Sequence, residues 1–249
     1  MFKTAFIAAL SFAASAQAAD ITALLKDADR YRTGAENLRV ETQVTVLNKD
    51  GSTDKERLYT VFAQAQHKSL VLMRSPVEAG QKVLMLGDDF WLLMPGSARP
   101  MRITPSQKLL GDASTGDIAT LSWAEDYNGT LVGEETCPAE PASTSASKTC
   151  LHLSLAASRK GLSYQRIELW LGKAKYEPVA ADLYVLSEKL AKQARFVMDK
   201  TGTQVTEMLL LDQLSNHKET RVRYLSRQAK QVPETWLNPM YLAKNPSLE

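Results

Sequence analysis

Apolar residues recur along this chain at two different periods. Between Asp20 and Arg32, Ile21, Leu24, Leu25, Ala28 and Tyr31 fall on one face of a helix, with an aspartate at its start and Gly34 beyond its end. From Val40 the period drops to two: Val40, Thr42, Val44 and Val46 alternate with Glu41, Gln43 and Thr45. A turn at Asn48-Lys49-Asp50-Gly51 then leads to a second β-rich run from Leu58 to Gln66. Two dense apolar runs, Val83-Leu84-Met85-Leu86 and Phe90-Trp91-Leu92-Leu93-Met94, flank Gly87-Asp88-Asp89, a hairpin signal because glycine accepts positive φ without strain. Neither run alternates, so both of their faces must meet something apolar, such as a lid helix or a ligand. Further strands are predicted around Leu151–Leu155, Ile167–Leu171, Val179–Leu186, Ala191–Asp199, Val205–Asp212 and Thr220–Arg227. So many strands with so few helices predict a mainly β fold, and the pattern alone leaves sandwich and barrel open.

Two short helical signals interrupt the strands. Thr104 is placed to cap a helix, with Pro105 at its first position, Gln107 completing a capping box and Gly111 as a stop. That helix, about two turns long, would present Leu109 and Leu110 and would have to lean on the sheet to be stable. Asp117 is a second N-cap candidate, ahead of Ile118, Leu121 and Trp123.

This stretch resembles the LolA-like proteins, the outer-membrane lipoprotein-sorting family, and in particular its broader branch. The resemblance is carried by Ser69-Leu70-Val71, Ser75-Pro76, Gly80-Gln81-Lys82-Val83-Leu84, Trp91 to Pro95, Arg99 to Ile103, Leu109-Leu110-Gly111, Gly116-Asp117 and Asp126-Tyr127. It continues through Leu169-Trp170, Pro178, Tyr184 and Ser187 to Asn238-Pro239 and Tyr241-Leu242. It implies a half-open antiparallel β-barrel enclosing lid helices, with an apolar cavity for acyl chains. The chain departs from the pattern at Ser187-Glu188-Lys189, where the family leads one to expect glycine after the serine.

The first 18 residues have the parts of a secretory signal: Lys3, an apolar run from Ala5 to Ala14 that is too short to span a bilayer, and an Ala16-Gln17-Ala18 cleavage site. A single domain over 19–249 and a periplasmic location follow as expectations. No cysteine follows the cleavage site, which argues against a lipid anchor on the protein itself. Cys137 and Cys150 flank a polar segment, and in an oxidising compartment a disulfide would staple that loop at its base. Two free thiols are the alternative. With 30 basic and 28 acidic residues the net charge is only +2, which argues against a nucleic-acid partner.

Enzymatic chemistry finds little support. His67, His152 and His217 lie far apart without metal-ligand spacing, Ser114 is not in a nucleophile elbow, and no glycine-rich phosphate loop is present. No catalytic residue, metal or cofactor is assigned. The candidate ligand-binding set comprises Trp91, Met94, Trp123 and Trp170, for which ordinary core is the competing role, and the lid residues Leu109, Leu110, Ile118 and Leu121. Arg99 and Arg102 complete it as holders of a phosphate or carboxylate head group, since guanidinium offers a planar fork of donors. Trp236, Leu237 and Tyr241 read as a structural tail across the barrel. The function expected is a carrier of lipoprotein or lipid acyl chains from an inner-membrane transporter toward an outer-membrane acceptor. The alternatives are a lipid-sensing adaptor and an accessory subunit of an RND-type lipid exporter.

Overall fold

The computed structural model describes residues 10–33, 37–110, 113–119, 122–138, 149–211 and 219–244. A long helix, α1 (Leu10–Thr33), precedes a meander of six strands: β1 (Leu38–Leu47), β2 (Thr53–Gln64), β3 (Lys68–Met73), β4 (Lys82–Leu86), β5 (Asp89–Leu93) and β6 (Met101–Ile103). A small hairpin, β7 (Lys108–Leu110) and β8 (Ala113–Ser114), and two single-turn helices, α2 (Thr115–Ile118) and α3 (Trp123–Asp126), come next. A second meander follows: β9 (Tyr127–Thr136), β10 (Thr149–Ala157), β11 (Arg166–Gly172), β12 (Pro178–Tyr184), β13 (Leu190–Met198), β14 (Val205–Leu211) and β15 (Glu219–Ala229). The chain closes with a 3-10 turn, Glu234–Leu237, and α4 (Pro239–Leu242).

All the large-sheet pairings are antiparallel, and the 13 strands lie in the order β6-β5-β4-β3-β2-β1-β15-β14-β13-β12-β11-β10-β9. Each meander steps to its neighbour, so one connection alone must cross from one margin of the sheet to the other. That connection is the segment from β6 to β9, and it crosses the concave face. This topology puts Ile118 and Trp123 inside the curve of the sheet, against inward residues such as Tyr59, Val71, Ile167, Phe196 and Leu210. The predicted open antiparallel β fold with enclosed helices is the observed one.

Strand alternation explains the runs that are apolar throughout. Val71, Val83, Met85 and Phe90 face the concave core, while Leu70, Leu72, Leu84 and Leu93 point outward into a second cluster completed by Val232, Leu237 and Leu242. The C-terminal segment therefore covers the outer face of β2 to β5, as the sequence predicted for Trp236 and Leu237. Trp236 meets Phe62 edge-on at 5.5 Å. The hairpin at Gly87 is also as predicted, with φ of 59° at the glycine and Leu86 paired to Asp89. Cys137 and Cys150 form the disulfide, with Cα atoms 4.9 Å apart, across the base of the β9–β10 loop.

Two local expectations are corrected. The predicted helix from Thr104 to Leu110 is a turn followed by strand β7. Gln107 N–H closes that turn on the Thr104 carbonyl, and the Pro105 and Gln107 carbonyls accept from Gly116 and Thr115, so tertiary hydrogen bonds replace the helical ladder. Two turns of helix have too little cooperativity to resist this. Asp117 does not cap α2 from outside; it sits within the turn, and its Oδ2 accepts from the Ser114 N–H and hydroxyl, both at 2.7 Å. At the departure noted after Ser187, Glu188 itself takes the left-handed conformation (φ 57°), and Arg166 donates to its carboxylate at 3.0 Å. The turn that glycine would make is kept with a side chain in place.

Candidate functional site

The concave face of the sheet is lined by aliphatic and aromatic side chains, and α1 with the crossing segment lies on it. Ile21, Leu25 and Ala28, the apolar stripe of α1, are all buried there. The helix approaches β9 closely because position 129 is glycine: a Cβ there would lie 2.7 Å from Ile21 Cγ2 and 3.0 Å from Leu155 Cδ2. Trp123 is 2% exposed and meets Phe196 edge-on at 5.7 Å. These side chains fill the hollow that the curved sheet creates.

Three buried aspartates hold this inner cover in place. Asp29 of α1 accepts from the Ser122 hydroxyl at 3.0 Å and from the N–H groups of Trp123 and Ala124 at 3.2 and 3.0 Å, so one helix caps the next. Arg32, one helical turn on, reaches the same carboxylate at 3.3 Å and stacks over the Trp123 ring at 3.9 Å. Burial pushes the Asp29 carboxyl above its ordinary value despite Arg32 and these hydrogen bonds. Asp117 ties α2 to the sheet through Lys192 Nζ at 2.6 Å and the Tyr164 hydroxyl at 2.7 Å. Burial alone would raise its pKa, but Lys192 and the hydrogen bonds prevail and hold it below the ordinary carboxylate value.

The third aspartate closes the mouth. Asp126, at the end of α3, takes hydrogen bonds from Arg159 at 3.2 and 2.8 Å and lies 3.5 Å from His67 Nδ1. Arg159 also pairs with Asp88 in the β4–β5 turn, and His67 lies 3.4 Å from Glu125. The β2–β3 and β4–β5 turns of one meander are thereby joined to α3 and the β10–β11 loop of the other. Gln66 and His67 both have positive φ, 63° and 55°, a costly backbone for residues other than glycine. Burial drives the Asp126 carboxyl up to about 6, with Glu125 and Asp29 adding to the rise and His67 and a Ser122 backbone hydrogen bond opposing it. A pocket of about 20 Å³ lies at this mouth between Phe90, Met85 and Leu162.

The sequence-predicted ligand set divides among several places. Ile118 and Trp123 are buried on the concave face, and half-buried Leu109 packs against the same core. Trp91 points to the outer face beside the C-terminal segment, where Arg102 lies over its ring at 5.4 Å and pairs with Asp89. Met94 is half-buried after β5, and Arg99 is exposed. Trp170 is also on the outer face, stacked on His152 at 4.7 Å next to the disulfide. Leu121 and the Leu110 side chain lie outside the described residues. The structure thus gathers three of the ten, beside the α1 stripe residue Leu25, with Asp29, Lys192, Arg159 and His67 as neighbours that the sequence did not assign to the site. An Asp and Arg three apart in a helix hinted at Asp29, but its partners lie more than 90 residues away. The arrangement is an apolar face under an apolar cover, with its polar groups spent on each other.

Comparison with known proteins follows the same line. A family model described as "Uncharacterized protein" matches residues 65–244. No curated protein sequence matches the chain. Among solved structures, a LolA superfamily protein from Nitrosomonas europaea is 25% identical with a TM-score of 0.75, over 88% of this chain and 97% of that one. A DUF1329 family protein from Desulfovibrio piger is 20% identical with a TM-score of 0.69, over 91% and 99%. A domain described as outer membrane lipoprotein-sorting, from Vibrio parahaemolyticus, is 16% identical with a TM-score of 0.68, over 89% and 97%. The last two speak for the fold alone.

Proposed function

The chain belongs to the LolA-like family, and on that premise we propose that it is a periplasmic carrier that shelters acyl chains of lipids or lipoproteins on the concave face of its sheet. In this reading residues 1–18 direct export and are removed, residues 19–249 act as one domain, and the protein binds cargo without transforming it. The observation that carries the reading is the nature of the inner cover. An apolar sheet face is occupied by an amphipathic helix and two single turns, fastened by polar clasps and not woven into the sheet.

The energetics favour exchange. Burying a sixteen-carbon chain from water is worth roughly 12 kcal/mol at about 0.8 kcal/mol per CH₂. Ile21, Leu25 and Trp123 leaving the same surface give back about 1.5–3 kcal/mol each, or somewhat more for the indole. The donor membrane also shields the chain, so the balance between loaded and empty states is close, as transfer in both directions requires. Leu109, Ile118 and Trp123 are the predicted residues that this site retains. Trp91, Arg102 and Trp170 lie on the other side of the sheet from it.

The test is to lock the cover. A Cβ at position 129 falls within disulfide reach of residue 21, so an Ile21→Cys, Gly129→Cys double variant can be oxidised to pin α1 to β9. A fluorescent fatty acid should bind the wild type, fail to bind the oxidised variant and return on reduction, with reduced wild type as the control for the native disulfide. Undiminished binding by the folded, oxidised variant would place the ligand elsewhere and sink the reading.

A further inference from the structure

A groove of about 810 Å³ runs over β12 to β15 and the turns at their ends, a volume in the range of sites that hold small organic ligands; Arg195, Val197, Glu207 and Leu209 reach it from the face of the sheet opposite the proposed carrier site, and Phe196 and Met198 also border it. Three apolar side chains, Val179, Val197 and Leu209, line it from neighbouring strands. Among these stand charged groups whose pairing is incomplete. The Arg195 side chain is only 14% exposed, yet the nearest carboxylate among the described residues, Asp182, is 3.8 Å away, beyond hydrogen-bond distance, and Nη1 donates to the Ala194 carbonyl beside it. Glu207 Oε1 and Glu177 Oε2 are buried and accept no hydrogen bond from the described residues. The arginines nearest to Glu207 stand at 3.9 and 3.8 Å. Leaving such groups half-satisfied is costly unless something else completes them.

We propose that this groove is a second binding site, for an amphiphile with a zwitterionic head that carries a primary ammonium and a phosphate, of the phosphoethanolamine type. Arg195 and Glu207 project from the same face of adjacent strands, since Arg195 is opposite Leu209 and Val197 opposite Glu207. This is a diagonal pair, roughly 7–8 Å between backbones, with a cation and an anion side by side. A phosphate completes the guanidinium, an ammonium gives N–H donors to the Glu207 carboxylate, and the apolar end lies on Val179, Val197 and Leu209. A peptide is the poorer match. The groove lies on a sheet face, where β12 to β15 pair with neighbours on both sides, so an extended main chain finds no free strand edge to join.

The probe is a water-soluble short-chain phosphatidylethanolamine, compared by calorimetry with phosphatidylcholine and phosphatidylglycerol of the same chains. Phosphatidylethanolamine should bind best. Phosphatidylcholine, whose quaternary nitrogen cannot donate, and phosphatidylglycerol, which has no cation, should each bind about tenfold more weakly or worse. Glu207→Gln should narrow the difference between ethanolamine and choline heads, and Arg195→Met should weaken all three. If Arg195→Met does not fold, the isosteric Glu207→Gln decides alone. Equal binding of the three heads, or unchanged selectivity in folded Glu207→Gln, would overturn the proposal. The oxidised Ile21→Cys, Gly129→Cys variant separates this site from the concave one: it should still bind phosphatidylethanolamine, and loss of binding there would assign the ligand to the carrier face and overturn the second site.

Discussion

The sheet carries a cover on each face; both meet it through apolar side chains, and they differ in their polar fastenings. On the outer face the C-terminal segment seals β2 to β5 with Val232, Leu237 and Leu242 set into an aliphatic surface. Its polar fastenings are slight: Gln64 donates to the Val232 carbonyl at 3.1 Å, and Lys68 meets an exposed Glu234 at 3.2 Å. On the concave face Asp29, Asp117 and Asp126 each bridge between elements, with side chains 9%, 3% and 2% exposed. Apolar contact is non-directional and indifferent to protons, so the outer cover acts as permanent structure. Buried carboxylates have strict partners and a charge that depends on pH, so the fastening of the inner cover responds to protons. On the proposed function, those fastenings mark the concave face as the one that opens.

The largest effect that tests this contrast is expected from Lys192→Met. It leaves the Asp117 carboxylate buried without its cation, which costs about 3–5 kcal/mol in comparable ion pairs. Urea unfolding at pH 7 would measure it, and a loss below 1 kcal/mol would mean the clasp is dispensable. The corresponding cut to the outer cover is Leu242→Ala, at a fully buried position. About 2–3 kcal/mol should be lost, near the low end for such truncations because a terminal segment can settle into the gap. Fatty-acid binding should be unchanged. Altered binding in this variant would show that the two covers are coupled.

How much of this was legible depended on distance along the chain. The double-sided apolar character of β3 to β5 was plain from unbroken runs such as Val83-Leu84-Met85-Leu86, and so was the need for a cover on each face. The α1 stripe of Ile21, Leu25 and Ala28 was equally plain, because amphipathic periodicity is written within a dozen residues. The helix expected after Thr104 failed because its capping signals were real but local, and carbonyls engaged by Thr115 and Gly116 outweighed them. The clasps were not legible at all. Nothing near Asp29 marks Ser122 or Trp123 as partners, and nothing near Asp117 marks Lys192, because pairing across a sheet depends on topology that composition does not carry. For the same reason Trp91 and Trp123, alike as residues, could not be assigned to opposite faces of the sheet.

A smaller effect should come from Asp29→Ala. It removes the acceptor that joins α1 to α3, and loss of a capping side chain costs about 1–2 kcal/mol. Since the loss falls on the fastening of the lid, the rate of fatty-acid uptake should rise even as stability falls, which stopped-flow fluorescence would show. Slower uptake would mean that Asp29 shapes the site and does not restrain it.

The subtlest prediction concerns protons, and here the aspartates oppose one another. The Asp126 carboxyl is raised to about 6 in the folded protein, so the folded state binds its proton more tightly than the unfolded chain does. Its contribution to stability is therefore complete below the ordinary carboxylate range near 4 and is lost as pH rises through about 6. Asp29, raised by burial, acts in the same direction. Asp117, held below its ordinary value, acts in the reverse sense: its contribution is present above about 4 and disappears as acid protonates it. Stability should thus rise as pH falls from 7 toward 4 and then decline. Asp126→Asn should flatten the rise between pH 4 and 6 and spare the decline below 4, as urea midpoints across the range would record. A rise of undiminished slope in that variant would leave Asp29 as its source and remove Asp126 from the protons that the inner cover responds to. Among the described residues the outer cover has no buried carboxylate, so Leu242→Ala should shift the whole curve downward without changing its shape.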